Sequence, residues 1–327
     1  MAVPRILCLG EVLYDLISNE PGVPYEQVTS WTAYPGGAPA NVACALVKLG
    51  TAAGFVGCVG NDEPGNNLVT LLQKIGVDTV GIQRHLTAPT RQIYVVLTET
   101  GDRQFVGFGD RQTSEFADTF LCADDLPTHL FETADYLVLG TLEMAYAATA
   151  QAIEHALELA THHHVTTVLD VNWRPMFWQD VDKAKNHIQS ILHRFDFLKL
   201  SDDEAEWLFD TTDPGAIAHR LTTVNGVIVT AGEHGCAYSL SGNQGRIPAF
   251  IVDVEETTGA GDSFLAGFLH QLCQQGQDCL NQPDLAHDVV TYASAVGGLT
   301  ATRPGAIAAQ PTRAEVEAFL HLYQQDS

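Results

Sequence analysis

Three observations predict an α/β fold in which a doubly wound, mostly parallel sheet is flanked by helices and a small antiparallel β sheet stands apart. Strands and helices alternate strictly through the second half of the chain. A β-hairpin pattern interrupts the first half, and a glycine turn opens an apolar helix near the end. After Asp135, Tyr136 to Gly140 reads as a strand, Ala145 to Ala160 as a helix, and Thr166 to Val171 as a strand. A helix then runs to about Arg194, followed by a strand over Phe197 to Leu200. Ser201-Asp202-Asp203-Glu204 opens the next helix. Gly226 to Thr230 is a strand, and Cys236 to Ala249 has the pattern of a hairpin.

In the first half, Arg5 to Leu9 is apolar and β-like and runs into Gly10-Glu11-Val12-Leu13-Tyr14-Asp15. Ligands of open α/β sheets lie beyond the carboxyl ends of such strands. Asp15 is therefore either a ligand contact or an acid that stabilises a turn. Pro21, Gly22 and Pro24 break the next stretch, and Thr29 to Ala33 has the composition of a short strand. Gly36-Gly37 enters a helix rich in Ala, Val and Leu that ends at Gly50. Asn41 inside that helix is either a satisfied core amide or a ligand contact. Ala53 to Val59 reads as a buried strand, and Gly60-Asn61-Asp62-Glu63-Pro64-Gly65 starts a helix ending at Gly76. Gln92 to Leu97 and Arg103 to Phe108 flank Thr98-Glu99-Thr100-Gly101-Asp102, a hairpin signal rather than a βαβ unit.

With 327 residues the chain can bury a large core, and it shows no internal repeat or long linker. No segment has the continuous apolar length of a membrane span, and Met1 to Gly10 reads as a strand rather than a signal peptide. Seven scattered cysteines without C-x-x-C spacing predict reduced, buried thiols in a cytoplasmic protein. His162-His163-His164 reads as a polar turn between a helix and a strand, since no second ligand cluster accompanies it. The formal net charge of −24 repels nucleic-acid backbones and argues against a nucleic-acid partner.

The chemistry concentrates in Thr257-Thr258-Gly259-Ala260-Gly261-Asp262-Ser263-Phe264. Its glycines let backbone approach a ligand, and the N–H groups at the head of the following helix attract an anion. A carboxylate at the mouth of an anion site is unfavourable unless it has a task, such as taking a proton from an attacking hydroxyl. Asp262 beside this turn thus suggests phosphoryl transfer. Taken alone, the same residues also suit a turn with an acid at a helix N-terminus. No Gly-Lys-Ser/Thr is present, no G-x-G-x-x-G follows the first strand, and H-E-x-x-H and G-x-S-x-G are missing. Those absences set aside P-loop, dinucleotide-binding, zinc-protease and hydrolase-elbow chemistry.

From Gly36-Gly37-Ala38-Pro39-Ala40-Asn41 to Thr257–Phe264, the chain resembles the ribokinase-like sugar kinases of the phosphofructokinase B family, and within them fructokinases. Asp170-Val171-Asn172-Trp173-Arg174, Thr230 to Gly235 and Arg303-Pro304-Gly305-Ala306 extend the match nearly end to end. The resemblance implies one ribokinase-like domain over 1–327, with a β lid from about 12–34 and 91–110. It implies transfer of the γ-phosphoryl group of ATP to a sugar hydroxyl, foremost of fructose to give fructose 6-phosphate. Kinases of 2-keto-3-deoxygluconate, ribose or nucleosides, and a non-catalytic sugar sensor, are the alternatives. Asp262 would be the base, with Gly259, Ala260 and Gly261 as the anion hole. Asp15, Gly36, Gly37, Asn41 and Arg174 would face the sugar, with Arg103 and Phe105 reaching in from the lid. Ser201, Thr230, Gly232, Gly235 and Ser294 would line the nucleotide site.

Two positions depart from the family. It carries N-x-x-E for the Mg²⁺–phosphate region, whereas this chain has Ser201-x-x-Glu204, which is equally a helix capping box. Glu204 would hold Mg²⁺ through water. Glu256 stands where the family has the Asp of a monovalent-cation (K⁺) site, whose other ligands would be Thr258, Thr300, Arg303 and Gly305. A homodimer through the lid is a further implication.

Overall fold

The computed structural model describes residues 3–101, 103–178 and 180–326. Met1, Ala2 and the hairpin residue Asp102 lie outside that range. A nine-stranded sheet runs through the molecule in the order β13-β12-β11-β10-β9-β8-β1-β4-β5. Its strands are β1 (Ile6–Leu9), β4 (Ala53–Gly60), β5 (Ile82–His85), β8 (Tyr136–Leu139), β9 (Thr166–Asp170), β10 (Phe197–Ser201), β11 (Gly226–Thr230), β12 (Cys236–Leu240) and β13 (Asn243–Ile247). All pairings from β11 to β5 are parallel, and the hairpin β12–β13 closes one edge antiparallel. The chain steps from β1 to β4 on one side and later to β8 on the other, so β1 marks a switch point where a crevice opens.

Residue alternation along β1 divides the core. Ile6 and Cys8 pack on one face with α1 (Ala38–Leu49), α2 (Glu63–Ile75), α8 (Ala260–Gln275) and α9 (Pro283–Thr300). Leu7 and Leu9 pack on the other with α4 (Ala147–His163), α5 (Val181–Ile191), α6 (Asp202–Phe209) and α7 (Pro214–Leu221). The short helices α3 (Thr128–Phe131) and α10 (Ala306–Ala309) and the helix α11 (Arg313–Asp326) complete the set. Helix ends follow the local chemistry. Asp62 accepts from Gly65 N at the start of α2, and Gly50 and Gly76 terminate α1 and α2 in left-handed conformation.

A second sheet of order β3-β2-β6-β7 stands apart, built from β2 (Leu13–Ser18), β3 (Trp31–Gly36), β6 (Gln92–Leu97) and β7 (Arg103–Gly107). Its outer pairings are antiparallel, while β2 and β6 run parallel at its centre. The sequence strand over Thr29 to Ala33 shifts to Trp31–Gly36. β5 went unanticipated, because Ile-Gln-Arg-His lacks the apolar alternation by which strands are recognised. One correction concerns the thiols: all seven cysteines are free, but Cys122 is exposed, its backbone pairing with Gln83 in a surface loop. His162 and His163 belong to the last turn of α4, with His164 as its left-handed cap. Among the described residues no group of three or more His, Cys, Asp or Glu converges on a metal position. No described helix is long and apolar enough to cross a membrane.

Candidate active site

The carboxyl ends of β1, β9, β10 and β11 open into a cavity of about 540 Å³ that the second sheet covers. That volume falls within the ~300–1,000 Å³ of small-ligand sites. Asp262, Asn41, Asp15, Lys199 and Arg174 line it, with Gly36, Gly37, Gly259 and Gly261, whereas Ala260 lies outside the cavity wall. A cavity of similar volume lies at the base of the lid, beside Asp62, Tyr94, Arg111 and Glu115. Only the first joins a glycine turn, an adjacent carboxylate and a polar wall.

Asp262 stands in the first turn of α8, whose N-cap is Gly259 at φ 78°. A Cβ on Gly259 would lie 2.9 Å from Ala306 Cβ, so both conformation and space demand glycine here. Asn41 Nδ2 donates to Asp262 Oδ2 at 2.8 Å, joining residues 221 apart in sequence. Asn41, which lines the cavity, is 4 % exposed, and its Oδ1 is a buried acceptor that finds no donor among the described residues. Burial raises the Asp262 carboxyl. The charge of Lys199, the Asn41 hydrogen bond and the charge of Arg174 offset part of that rise, and the carboxyl stays above its ordinary value.

The wall opposite the base is acidic. Asp15 leaves β2 towards the cavity, and burial pushes its carboxyl up to about 6 against the lowering effect of Arg103 and Arg174. A Cβ on Gly36 would lie 3.2 Å from Asp15 Oδ2, and one on Gly37 (φ 104°) would strike Glu11 O at 2.5 Å. Glu11, which the sequence reading left without a role, caps α1 by accepting from Ala38 N at 2.7 Å. Glu143 abuts it, 1 % exposed and without a donor to either oxygen. Burial and the neighbouring Glu11 charge raise Glu143 well above its ordinary value, and burial raises Glu11 as well.

Ile93, Val95 and Phe105 enter from the lid as its apolar lining. Arg103 turns instead to the loop before α8. Its Nη1 donates to Thr258 Oγ1 at 2.9 Å, and its Nη2 lies 2.7 Å from Glu256 Oε1. Arg174 reaches the cavity, while its Nη1 donates to Trp173 O.

Ser201 and Glu204 form the capping box. Glu204 N donates to Ser201 Oγ at 3.1 Å and Ser201 N to Glu204 Oε2 at 2.8 Å, while Trp173 N donates to Glu204 Oε1 at 2.5 Å. With both oxygens held by backbone amides, Glu204 suits a metal reached through water better than one bound directly. Thr230 lies opposite Ser201 in the β10–β11 register and lines the same cavity. Gly232 and Gly235 follow β11 in left-handed conformation. A Cβ on Gly235 would collide with Ile247 O at 2.0 Å, which gives that glycine a folding reason of its own. Gly232, Gly235 and half-buried Ser294 on α9 lie outside the cavity wall.

Around the expected cation position, Glu256 Oε2 accepts from Gly305 N at 3.0 Å, and Thr300 Oγ1 donates to Val296 O. Arg303 pairs with Glu315 on α11. Glu256 is thus already answered by a guanidinium and an amide, which is a poor fit to a carboxylate awaiting a bare cation. Sequence reasoning also missed Lys199, which lies within an apolar strand pattern, and the base of the lid, where Arg91 (1 % exposed) pairs with Asp118 at 2.5 Å.

A fructokinase from Arabidopsis thaliana described as "Probable fructokinase-2" is 34% identical over 320 residues, covering 97% of this chain and 96% of that protein. The crystal structure of a fructokinase from Xylella fastidiosa with bound ATP superposes with a TM-score of 0.87 at 29% identity, covering 98% of this chain and 99% of the other. A fructokinase variant from Vibrio cholerae O395, solved with fructose, ADP and potassium ion, gives a TM-score of 0.82 at 25% identity over 97% of this chain and 98% of its own. Residues 3–313 match the description "pfkB family carbohydrate kinase", and the chain belongs to that family.

Proposed function

We propose that this chain is an ATP-dependent fructokinase that phosphorylates the 6-hydroxyl of fructose. One observation carries the reading: the Asp262 carboxylate, oriented by Asn41, adjoins the glycine turn at the head of α8 inside a lidded polar cavity. Asp15, the Gly36-Gly37 backbone and the Asn41 Oδ1 acceptor would hold sugar hydroxyls, so that one of them meets Asp262. Asp262 then takes the proton as the oxygen attacks in line. The N–H groups of Gly259 and Gly261 would face the charge that develops on the transferring group, in a site from which the lid excludes competing water, while the Ala260 N–H donates to Thr257 O at 3.1 Å and shapes the turn. When bound, ATP with Mg²⁺ would supply that group, with ADP as the leaving group; Glu204 would hold the metal through water, and Ser201 and Thr230 would line the phosphate side of the cavity. In this reading Gly232, Gly235 and Ser294 serve the far end of the nucleotide.

The acidic wall favours a neutral polyol over a keto acid. A substrate carboxylate would face Asp15 and Glu11, and Arg103 is already committed to Glu256 and Thr258. K⁺ has a smaller place here than in the family at large, since Arg103 answers the Glu256 charge. The reading includes one kinase domain with a β lid, and a homodimer through the lid's outer face. There Tyr25, Trp31 and Tyr94 cluster with ring centroids 5.1–5.8 Å apart. A coupled ADP-release assay with Mg²⁺ over fructose, ribose, glucose, nucleosides and 2-keto-3-deoxygluconate tests the assignment. Fructose is expected to give the highest kcat/KM, and preference for the keto acid or absence of sugar-dependent turnover would overturn it.

A further inference from the structure

Lys199 occupies the middle of β10 among Phe197, Leu198 and Leu200 and is 7 % exposed. Its Nζ donates to Oδ1 and Oδ2 of Asp170 at 2.9 and 2.8 Å, across the parallel β9–β10 register in which the two residues are partners. A buried ion pair is weak evidence for stability, because an apolar pair of similar size serves a sheet equally well. The location is more informative. Lys199 lines the same cavity as Asp262, and a Cβ built on Gly261 would lie 3.2 Å from Nζ. The ammonium therefore presses on the last glycine of the anion turn, and Asp170 takes two of its three donors.

We propose that Lys199, locked in place by Asp170, is a positioning residue for phosphoryl transfer. It sets a fixed positive charge under the Gly259–Gly261 turn and holds the neighbouring Asp262 in its ionised, proton-accepting form. The charged groups around it are Asp170 on β9, Glu204 on α6, Asp262 on α8 and Arg174 in the loop after β9. Burial works against the Lys199 charge, but Asp170, Glu204 and Asp262 more than offset it and hold the ammonium above its usual range. At Asp262 burial is again the largest influence and raises the carboxyl. Lys199 is the foremost one lowering it, ahead of Asn41 and Arg174. Removing the ammonium thus leaves the base easier to protonate. Asp170 acts one step back, because its carboxylate is spent on Lys199.

The inference rests on the kinase reading, and the experiment separates the two. The pH dependence of kcat at saturating fructose and Mg²⁺–ATP is measured for the intact chain and for Lys199→Arg, Lys199→Met and the double variant Lys199→Met/Asp170→Asn. The double variant removes both charges, so it guards against unfolding caused by an unpaired buried carboxylate. In both methionine variants kcat is expected to fall; the acid limb is expected to move up by about 1–3 pH units in Lys199→Met and by less in the double variant, where the opposing Asp170 charge is gone as well. Lys199→Arg is expected to keep the limb near its original position. A folded Lys199→Met protein whose limb is unmoved, or a folded double variant with unchanged kcat, overturns the inference while leaving the kinase reading intact. Absence of sugar-dependent turnover in the unsubstituted chain overturns both.

Discussion

Arg103 and Glu256 meet at 2.7 Å between guanidinium Nη2 and carboxylate Oε1, clasping a lid strand to the turn that leads into α8. The second guanidinium nitrogen donates to Thr258 Oγ1, and the second carboxylate oxygen accepts from Gly305 N. One arginine thereby ties three segments: the lid, the entry to the anion turn and the loop before α10. The pair is part-exposed, so its value lies in geometry more than in stability.

Arg103→Met is accordingly expected to raise the fructose KM and to increase ATP turnover without sugar, with little change in melting temperature. Parallel assays of sugar phosphate and ADP release read the leak. In the unsubstituted chain, replacing K⁺ by tetramethylammonium is expected to change turnover by no more than a few-fold, because Arg103 already answers Glu256. Loss of nearly all activity on that exchange would show that Glu256 serves a cation instead.

Arg91 and Asp118 form the buried anchor of the lid. The guanidinium lies among the rings of Phe108, Phe116, Tyr146 and Phe177 at 4.7–5.8 Å, with side-chain exposures of 0% and 2% for the ion pair. Removing one partner strands a charge, and Arg91→Met is expected to destabilise the chain by about 3–5 kcal/mol. Urea unfolding measures this, and a loss below about 1 kcal/mol contradicts the pair's role.

Asp15 gives a pH signature in binding rather than turnover. Its carboxyl is raised to about 6, so its acceptor form is lost as pH falls through that value, and the fructose KM should rise there. Asp15→Asn is expected to raise KM about 10- to 100-fold, the worth of hydrogen bonds to a charged group, and to flatten its pH dependence. KM measured from pH 5 to 8 for both proteins decides the matter.

Ser201 is expected to act on stability more than on turnover. Its hydroxyl caps α6 by accepting from Glu204 N, and Ser201→Ala should cost about 1 kcal/mol. A kcat retained within a few-fold distinguishes the cap from a nucleotide contact.

The parts of this site that were legible in the sequence are those whose backbone chemistry is local. Gly259 and Gly261 with Asp262, and Gly36-Gly37 with Asn41, announce a turn, an anion site and an acid within a few residues each. The strand–helix alternation after Asp135 likewise follows from short-range periodicity. What stayed hidden depends on contacts between distant segments. Asp262 and Asn41 are 221 residues apart, Arg91 and Asp118 are 27 apart, and the Arg103 partner could not be read from β7 alone. Lys199 sits inside an apolar run, where one charged residue reads as the exposed position of a strand. Glu11 and Glu143 become a pair of carboxyls with raised pKa only because folding buries them together.

The most direct measurement is sugar-dependent ADP release by Asp262→Asn beside the unsubstituted chain, with folding of both checked by circular dichroism. The amide keeps the shape and the neighbour of Asn41 but takes no proton. A fall in kcat of about 10²–10⁴ with fructose KM little changed is the expected result. Equal turnover by the two proteins would contradict the assignment of Asp262 as the base.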